Sequence, residues 1–178
     1  MLAATRRLLA ESGYPALTFS EVAERAGVTR QLVHRWWSGR PALVSEALFT
    51  SPDVTWPTGY DGPLEADLRR FVTALVDYAC RADVRAGVTG LMAETDADTE
   101  LPGLEEGLLR PLHASLAELV ETGVARGDTR PGIDVTLTLN TLRGAVTMQL
   151  LADRTRPDVV VDHLTELTTW AFGSPDHT

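Results

Sequence analysis

The sequence predicts an all-α protein, and three observations carry that prediction. Apolar residues recur at the three- and four-residue spacing of a helix face, as in Leu64, Leu68, Phe71, Leu75 and Tyr78. Start and stop signals bracket such stretches, with Thr18, Thr29 and Asp134 placed to cap helix starts and Gly13, Gly27 and Gly127 placed to end helices. Strand-like alternation occurs only in V-T-L-T-L at 135–139, and its flanks favour a helix.

The first helix is expected over about 2–12, with Leu8 and Leu9 inward and Gly13 as its stop. Thr18 followed by Glu21 is a capping box opening a second helix over about 19–26. Val22, Ala23 and Ala26 form its apolar face, and Gly27 suits a left-handed stop. Val28 plugs the turn and Thr29 caps a third helix over about 30–36. Val33 and Trp37 fall inward at i, i+4, which leaves Arg30, Gln31, His34 and Arg35 on the outer face. Two short helices joined by a tight glycine turn describe a helix-turn-helix. A fourth helix begins near Arg40, with Ser38 or Gly39 as cap and Pro41 tolerated in the first turn, and runs to about Phe49.

Residues 51–63 hold three prolines and two glycines and read as a connector on which Trp56 and Tyr60 pack. Helices follow at about 64–79, then from a cap at Asp83 through Val84, Val88, Leu91 and Met92, with the acidic 94–100 stretch as a solvated loop. A long helix carries Leu104, Leu108, Leu112, Leu116, Leu119 and Val124, with a kink expected at Pro111. After a loop at 126–134, a helix over 135–152 presents Leu139, Leu142, Val146 and Leu150 on one face and Leu137, Gly144 and Leu151 near another. The last helix, about 158–172, carries Val159, Val160, His163, Leu164, Leu167 and Trp170. The domains expected are therefore 1–50, a connector at 51–63, a second domain at 64–173 and a disordered tail at 174–178.

The outer face of the third helix suits DNA. Arg donates two parallel hydrogen bonds to guanine O6 and N7, and Gln pairs similarly with adenine. Arg40, at a helix N-terminus where free N–H groups already favour anions, suits a phosphate. The competing reading is a solvated face on an ordinary helical bundle.

Residues 1–50 resemble the DNA-binding domain of the TetR (tetracycline-repressor-like) family. The resemblance rests on Ala4, Leu8-Leu9, Glu11, Gly13-Tyr14, Thr18, Val22-Ala23, Ala26 through Thr29, Val33, Trp37 and Arg40 through Leu43. It implies an all-helical homodimer whose N-terminal three helices bind DNA and whose C-terminal domain binds a small molecule and dimerises. The DNA-contacting residues implied are Thr18, Ser20, Thr29, Arg30, Gln31, His34, Arg35, Trp36 and Arg40. Three of these depart from the family pattern. His34 replaces a usual Tyr, Trp36 replaces a smaller polar or basic residue, and Arg40 replaces a phosphate-contacting Lys with a bidentate group. The family tends to carry a basic arm before its first helix; here Met1 takes the place of the first buried aliphatic, so that arm is missing or was not included. The 126–135 segment and the helix after it also resemble, more loosely, C-terminal domains of actinobacterial-type TetR regulators.

For the C-terminal domain, a ligand pocket is expected from Tyr78, Leu91, Met92, Leu112, His113, Leu116, Leu142 and Met148, residues that serve a packed core equally well. The last two helices carry more apolar faces than one core contact needs, and Gly144 allows close helix approach. A two-fold homodimer is expected through Leu139, Gly144, Val146, Leu150, Leu164 and Leu167. Repression relieved by a small-molecule effector, on a near-palindromic operator, is the activity implied.

Composition bounds the alternatives. Over 178 residues the net charge is −9, yet residues 1–50 hold six Arg against four Glu, while the remainder holds ten Arg against 21 acidic residues. That asymmetry matches a DNA-facing end and a non-contacting end. Lys is absent and Ile133 is the only isoleucine, a usage that suggests a GC-rich bacterial genome. Cys80 stands alone, no run approaches membrane-spanning length and no leader is evident, which together read as cytoplasmic. The four histidines (His34, His113, His163 and His177) are scattered, no nucleophile or phosphate-loop motif appears, and no catalytic residue, metal or cofactor is expected. The main alternative to a regulator is an all-α interaction or sensor module that has lost DNA binding; an enzyme ranks well below it.

Overall fold

The computed structural model describes residues 1–94, 104–152 and 155–174. Among them the helices are α1 (Leu2–Ser12), α2 (Phe19–Ala26), α3 (Arg30–Trp36), α4 (Arg40–Phe49), α5 (Leu64–Cys80), α6 (Ala82–Glu94), α7 (Arg110–Arg126), α8 (Val135–Thr147) and α9 (Pro157–Phe172). Wider π-helical turns precede α7 at Leu104–Leu109 and follow α8 at Met148–Ala152. No strand occurs among the described residues, and the 135–139 alternation lies on α8. Residues 95–100 of the acidic stretch, residues 175–178 of the tail, and the side chains of Leu104 and Leu151 lie outside the described residues.

The chain forms two compact units, Met1–Asp53 with Arg81–Leu109, and Val54–Cys80 with Arg110–Thr178. In the first, α1 packs on α4 and α6, and α2 on α3. Leu8, Leu9, Leu17, Val22, Val33, Leu43, Val44 and Leu48 are almost wholly buried at its centre. α6 lies beyond the connector in sequence, yet packs with this unit, and two glycines let it approach closely. A Cβ at Gly90 would meet Tyr14 Cγ at 2.0 Å, and one at Gly87 would meet Leu48 Cδ1 at 2.5 Å. Asp83 does not cap α6 as expected. It lies inside the first turn, buried, with both oxygens held by Arg81 at 3.2 and 3.0 Å. Paired in this way, its carboxylate tolerates burial that a free one would not.

The second unit is built from α5, α7, α8 and α9, with α5 lying most extensively along α9. Its core gathers Leu68, Phe71, Val72, Leu112, Leu116, Leu119, Leu139, Leu142, Val146 and Leu164. Trp56 packs against this core and Tyr60 is buried in it, so the connector is an ordered strap. Tyr60 Oη donates to Ser115 Oγ at 2.7 Å, because the Ser115 proton goes to Pro57 O at 2.6 Å. Asp67, 1% exposed, is paired with Arg126 Nη1 at 3.2 Å and faces Arg70 Nη1 at 3.6 Å. Asp134 caps α8 by accepting the Leu137 N–H at 2.8 Å. The loop before it pairs with the end of α9 through Arg130 N–H to Phe172 O at 2.8 Å and Ser174 N–H to Asp128 O at 3.2 Å. Ser174, placed in the expected tail, is therefore held.

Two helices expected to be continuous change their winding. Pro111 is the second residue of α7, where the π turn gives way to regular α-helix, which fits a ring that cannot donate to the previous turn. The helix over 135–152 is regular only to Thr147. The glycine contact is open to test: Gly90→Ala should destabilise the protein by about 1–3 kcal/mol in urea unfolding, because a methyl group there forces the Tyr14 ring to move.

Candidate nucleic-acid interface

The helix-turn-helix is fixed by its own local bonds. Thr18 Oγ1 accepts the Glu21 N–H at 3.2 Å and starts α2. The Glu21 carboxylate pairs with Arg25 Nε at 3.2 Å instead of turning back to Thr18, and Arg25 also pairs with Glu11 of α1. Gly27 takes the left-handed conformation, φ 65° and ψ 33°, and the Val28 N–H closes onto Ala23 O at 3.0 Å. An L side chain at Gly27 would be strained. Thr29 Oγ1 then accepts the Leu32 N–H at 3.3 Å and starts α3 one residue later.

α3 is seven residues long, about 10 Å at the rise of an α-helix, and a helix about 10–12 Å across fits a major groove about 12 Å wide. Val33 and Trp37 point inward, and Trp37 Nε1–H donates to Glu46 Oε2 of α4 at 2.7 Å. Arg30, Gln31, His34, Arg35 and Trp36 are all exposed, Trp36 at 67%. No carboxylate among the described residues pairs with Arg30 or Arg35. Arg30 Nε–H donates to His34 Nε2 at 3.3 Å, and the His34 ring meets Phe19 edge-on at 4.5 Å. His34 therefore acts as an acceptor toward Arg30, a bond that a proton on Nε2 would remove. Thr18, Ser20 and Thr29 are exposed hydroxyl residues at or beside the helix starts.

Arg40 is the first residue of α4, after Gly39, which offers no side-chain cap. Its guanidinium is engaged: Nη2 pairs with Glu94 Oε2 at 2.6 Å, and Cζ lies 5.1 Å from the centre of the Tyr14 ring. Burial, and then the Glu94 carboxylate, push the Tyr14 phenol well above its usual range, so it stays neutral. Sequence reasoning does not find Tyr14 and Glu94 as parts of this site. Tyr14 is visible as a family-like position, but no signal in the chain links Glu94 to a residue 54 positions away.

The residues expected in the C-terminal pocket are dispersed. Leu91 is buried and Met92 is 68% exposed in the first unit. In the second, Leu112, Leu116 and Leu142 meet in the core, Tyr78 is buried, His113 bonds Thr136 Oγ1 at 3.1 Å, and Met148 is 58% exposed. Of the expected dimer face, Leu139, Val146, Leu150 and Leu164 are buried in the core of their own chain, leaving Gly144 and Leu167 exposed. The outward apolar stripes are Leu137 and Met148 with Gly144 on α8, and Val159, Leu167 and Trp170 on α9. No group of three His, Cys, Asp or Glu side chains gathers among the described residues, and no helix there is long and apolar enough to cross a membrane.

Comparison with known proteins agrees with this geometry. Residues 1–47 match the family described as bacterial regulatory proteins, tetR family, and residues 61–168 match the tetracyclin repressor-like C-terminal domain. The chain is 29% identical over 146 residues to the HTH-type transcriptional regulator AqdR of Rhodococcus erythropolis, covering 82% of this chain and 70% of that protein. It is 23% identical over 152 residues to the uncharacterized HTH-type transcriptional regulator YdeS of Bacillus subtilis (strain 168), covering 85% and 76%. Its fold is similar to that of a TetR transcriptional regulator from Agrobacterium tumefaciens, with a TM-score of 0.70, 20% identity, and 98% and 93% of the two chains covered. A DNA-sized helix presented over a left-handed turn, followed by a C-terminal helical domain of the matching family, makes this chain a member of the TetR family of DNA-binding transcriptional regulators.

Proposed function

We propose that this regulator is a cytoplasmic repressor that holds a near-palindromic operator as a homodimer and is released when a small molecule binds its second unit. The observation that carries the DNA part is the outer face of α3, where Arg30, Gln31 and Arg35 stand exposed with no competing carboxylate among the described residues. In this reading Arg30 and Gln31 reach base edges from the start of the helix, while Thr18, Ser20, Thr29 and Arg40 hold phosphates that fix its register. His34, Arg35 and Trp36 extend the contact toward the helix end.

Assembly rests on the exposed stripes of α8 and α9 and not on the buried one first expected. Leu137, Thr141 and Gly144 follow each other at helical spacing on α8 and continue to Met148 of the π-helical turn after it, as do Val159, His163, Leu167 and Trp170 on α9, with Trp170 81% exposed. Exposed apolar stripes of this kind mark interaction surfaces. A Cβ at Gly144 would meet nothing within 4 Å, so that place is open for a partner's backbone. Sedimentation should show a dimer at micromolar concentration, and Leu167→Glu with Trp170→Glu should shift it to monomer; a monomeric wild type overturns the assembly.

A mobility-shift assay on DNA flanking its own gene tests the rest. Arg30→Ala should cost on the order of 1–3 kcal/mol per base contact on the operator and far less on random DNA. Arg40→Ala should weaken all sequences alike and lower the salt slope by roughly one for each phosphate left without its guanidinium. Glu94 holds the same guanidinium, so Glu94→Gln should tighten binding to operator and random DNA alike, by a few-fold and mainly at low salt. Reduced specificity in Arg40→Ala, or lowered affinity in Glu94→Gln, contradicts this division of labour.

A further inference from the structure

Two side chains on the outer face of α3 hold one another. Arg30 is the first residue of α3 and His34 stands one turn further on, so both project from the same face. Arg30 Nε–H donates to His34 Nε2 at 3.3 Å, and among the described residues this is the polar bond that the guanidinium makes. Nη1 and Nη2 stay open, and their outward N–H groups form a parallel pair of the kind that meets guanine O6 and N7. The His34 ring is steadied in turn from α2. It meets Phe19, the first residue of that helix, edge-on at 4.5 Å with 65° between the planes, and Phe19 is only 8% exposed. A buried ring thus supports an imidazole, and the imidazole supports a guanidinium. An exposed arginine without such support samples many rotamers, and fixing one of them on binding costs affinity.

The support depends on the protonation state of His34. To accept at Nε2 the ring must be neutral, with its proton on Nδ1. Imidazole is the side chain that gains a proton between about pH 8 and pH 5. A proton on Nε2 replaces the acceptor with a donor and sets an imidazolium against a guanidinium. The charged groups of the neighbouring elements do not offset this. The other charge on α3 is Arg35, also positive. On α2, Glu21 and Arg25 pair with each other, and they and Glu24 project at least about 120° round the helix from Phe19. Glu11 of α1 is paired with Arg25, and Glu46 of α4 accepts from Trp37. Among the described residues no carboxylate pairs with His34.

We propose that His34 is a positioning residue for sequence readout: its neutral ring holds Arg30 Nε–H so that the terminal fork of Arg30 meets a guanine, and protonation of His34 releases that fork. Preference for the operator then falls with pH, while attraction to phosphate does not, because the imidazolium adds a positive charge beside two arginines. The inference rests on the reading of Arg30 as a base-contacting residue.

The test uses the full-length protein, a duplex that it selects from a randomised pool at pH 8, and a scrambled duplex of equal length and composition. The ratio of the two affinities is measured from pH 8 to pH 6 at fixed ionic strength. In the wild type that ratio should fall roughly threefold, the size expected for the loss of one hydrogen bond. His34→Gln puts a carbonyl oxygen near the position of Nε2 and should keep the ratio high at every pH. His34→Leu, without an acceptor, should be low at every pH. Arg30→Ala should lower the ratio and remove its pH dependence. A wild-type ratio as flat as that of His34→Gln, a high ratio in His34→Leu, or a low one in His34→Gln at pH 8 overturns the positioning role and leaves the Arg30 contact standing. A ratio unchanged in Arg30→Ala, or a pool that yields no preferred duplex, overturns the base-contact reading and the positioning role with it.

Discussion

The Tyr14 ring is the contact on which the first unit depends. It follows Gly13, whose φ of 75° turns the chain out of α1, and it lies flat enough against α6 that only glycine fits at position 90. It also offers a face to the Arg40 guanidinium, an interaction worth about 0.5–2 kcal/mol as it becomes desolvated. One ring thus joins the end of α1, the backbone of α6 and the start of α4. Its phenol, held neutral by burial and by Glu94, adds no charge beside the Arg40 guanidinium.

The strength of the Arg40–Glu94 pair decides what it can do. Both side chains are about one-third exposed, at 38% and 34%, and pairs so placed contribute about 0–1 kcal/mol. A stronger pair would compete with DNA outright. A weak one orients the guanidinium at the start of α4 and, in the reading proposed above, gives way to a phosphate, which carries more charge and accepts the helix N–H groups as well. Arg30 is held with similar lightness, by an imidazole nitrogen one turn along and, among the described residues, not by a carboxylate.

Where the sequence was legible, the structure depends on neighbours in the chain. Caps at Thr18, Thr29 and Asp134 and left-handed stops at Gly27 and Gly127 act within a few residues, so α2, the start of α3, the end of α7 and the start of α8 fall where those signals place them. The outward face of α3 follows from Val33 and Trp37 alone. What was not legible depends on partners far away. Gly87 and Gly90 look like weak helix residues until Leu48 and Tyr14 are set against them. Asp83 is the local exception: its partner Arg81 is only two residues away, but a cap and an ion pair inside the first turn look alike in sequence. Glu94 has no signature beyond its charge.

α8 shows why periodicity finds a stripe but not its role. Leu139, Leu142, Val146 and Leu150 are the strongest apolar repeat in the helix, and for that reason they go to the core of their own chain. The stripe left outside mixes Leu137 and Met148 with Thr141 and Gly144, too weak a pattern to stand out in sequence. Arg143 falls between the two, and a hydrophobicity pattern counts it as polar and therefore solvent-facing. Only the fold reveals that it is half-buried on the flank of the core stripe.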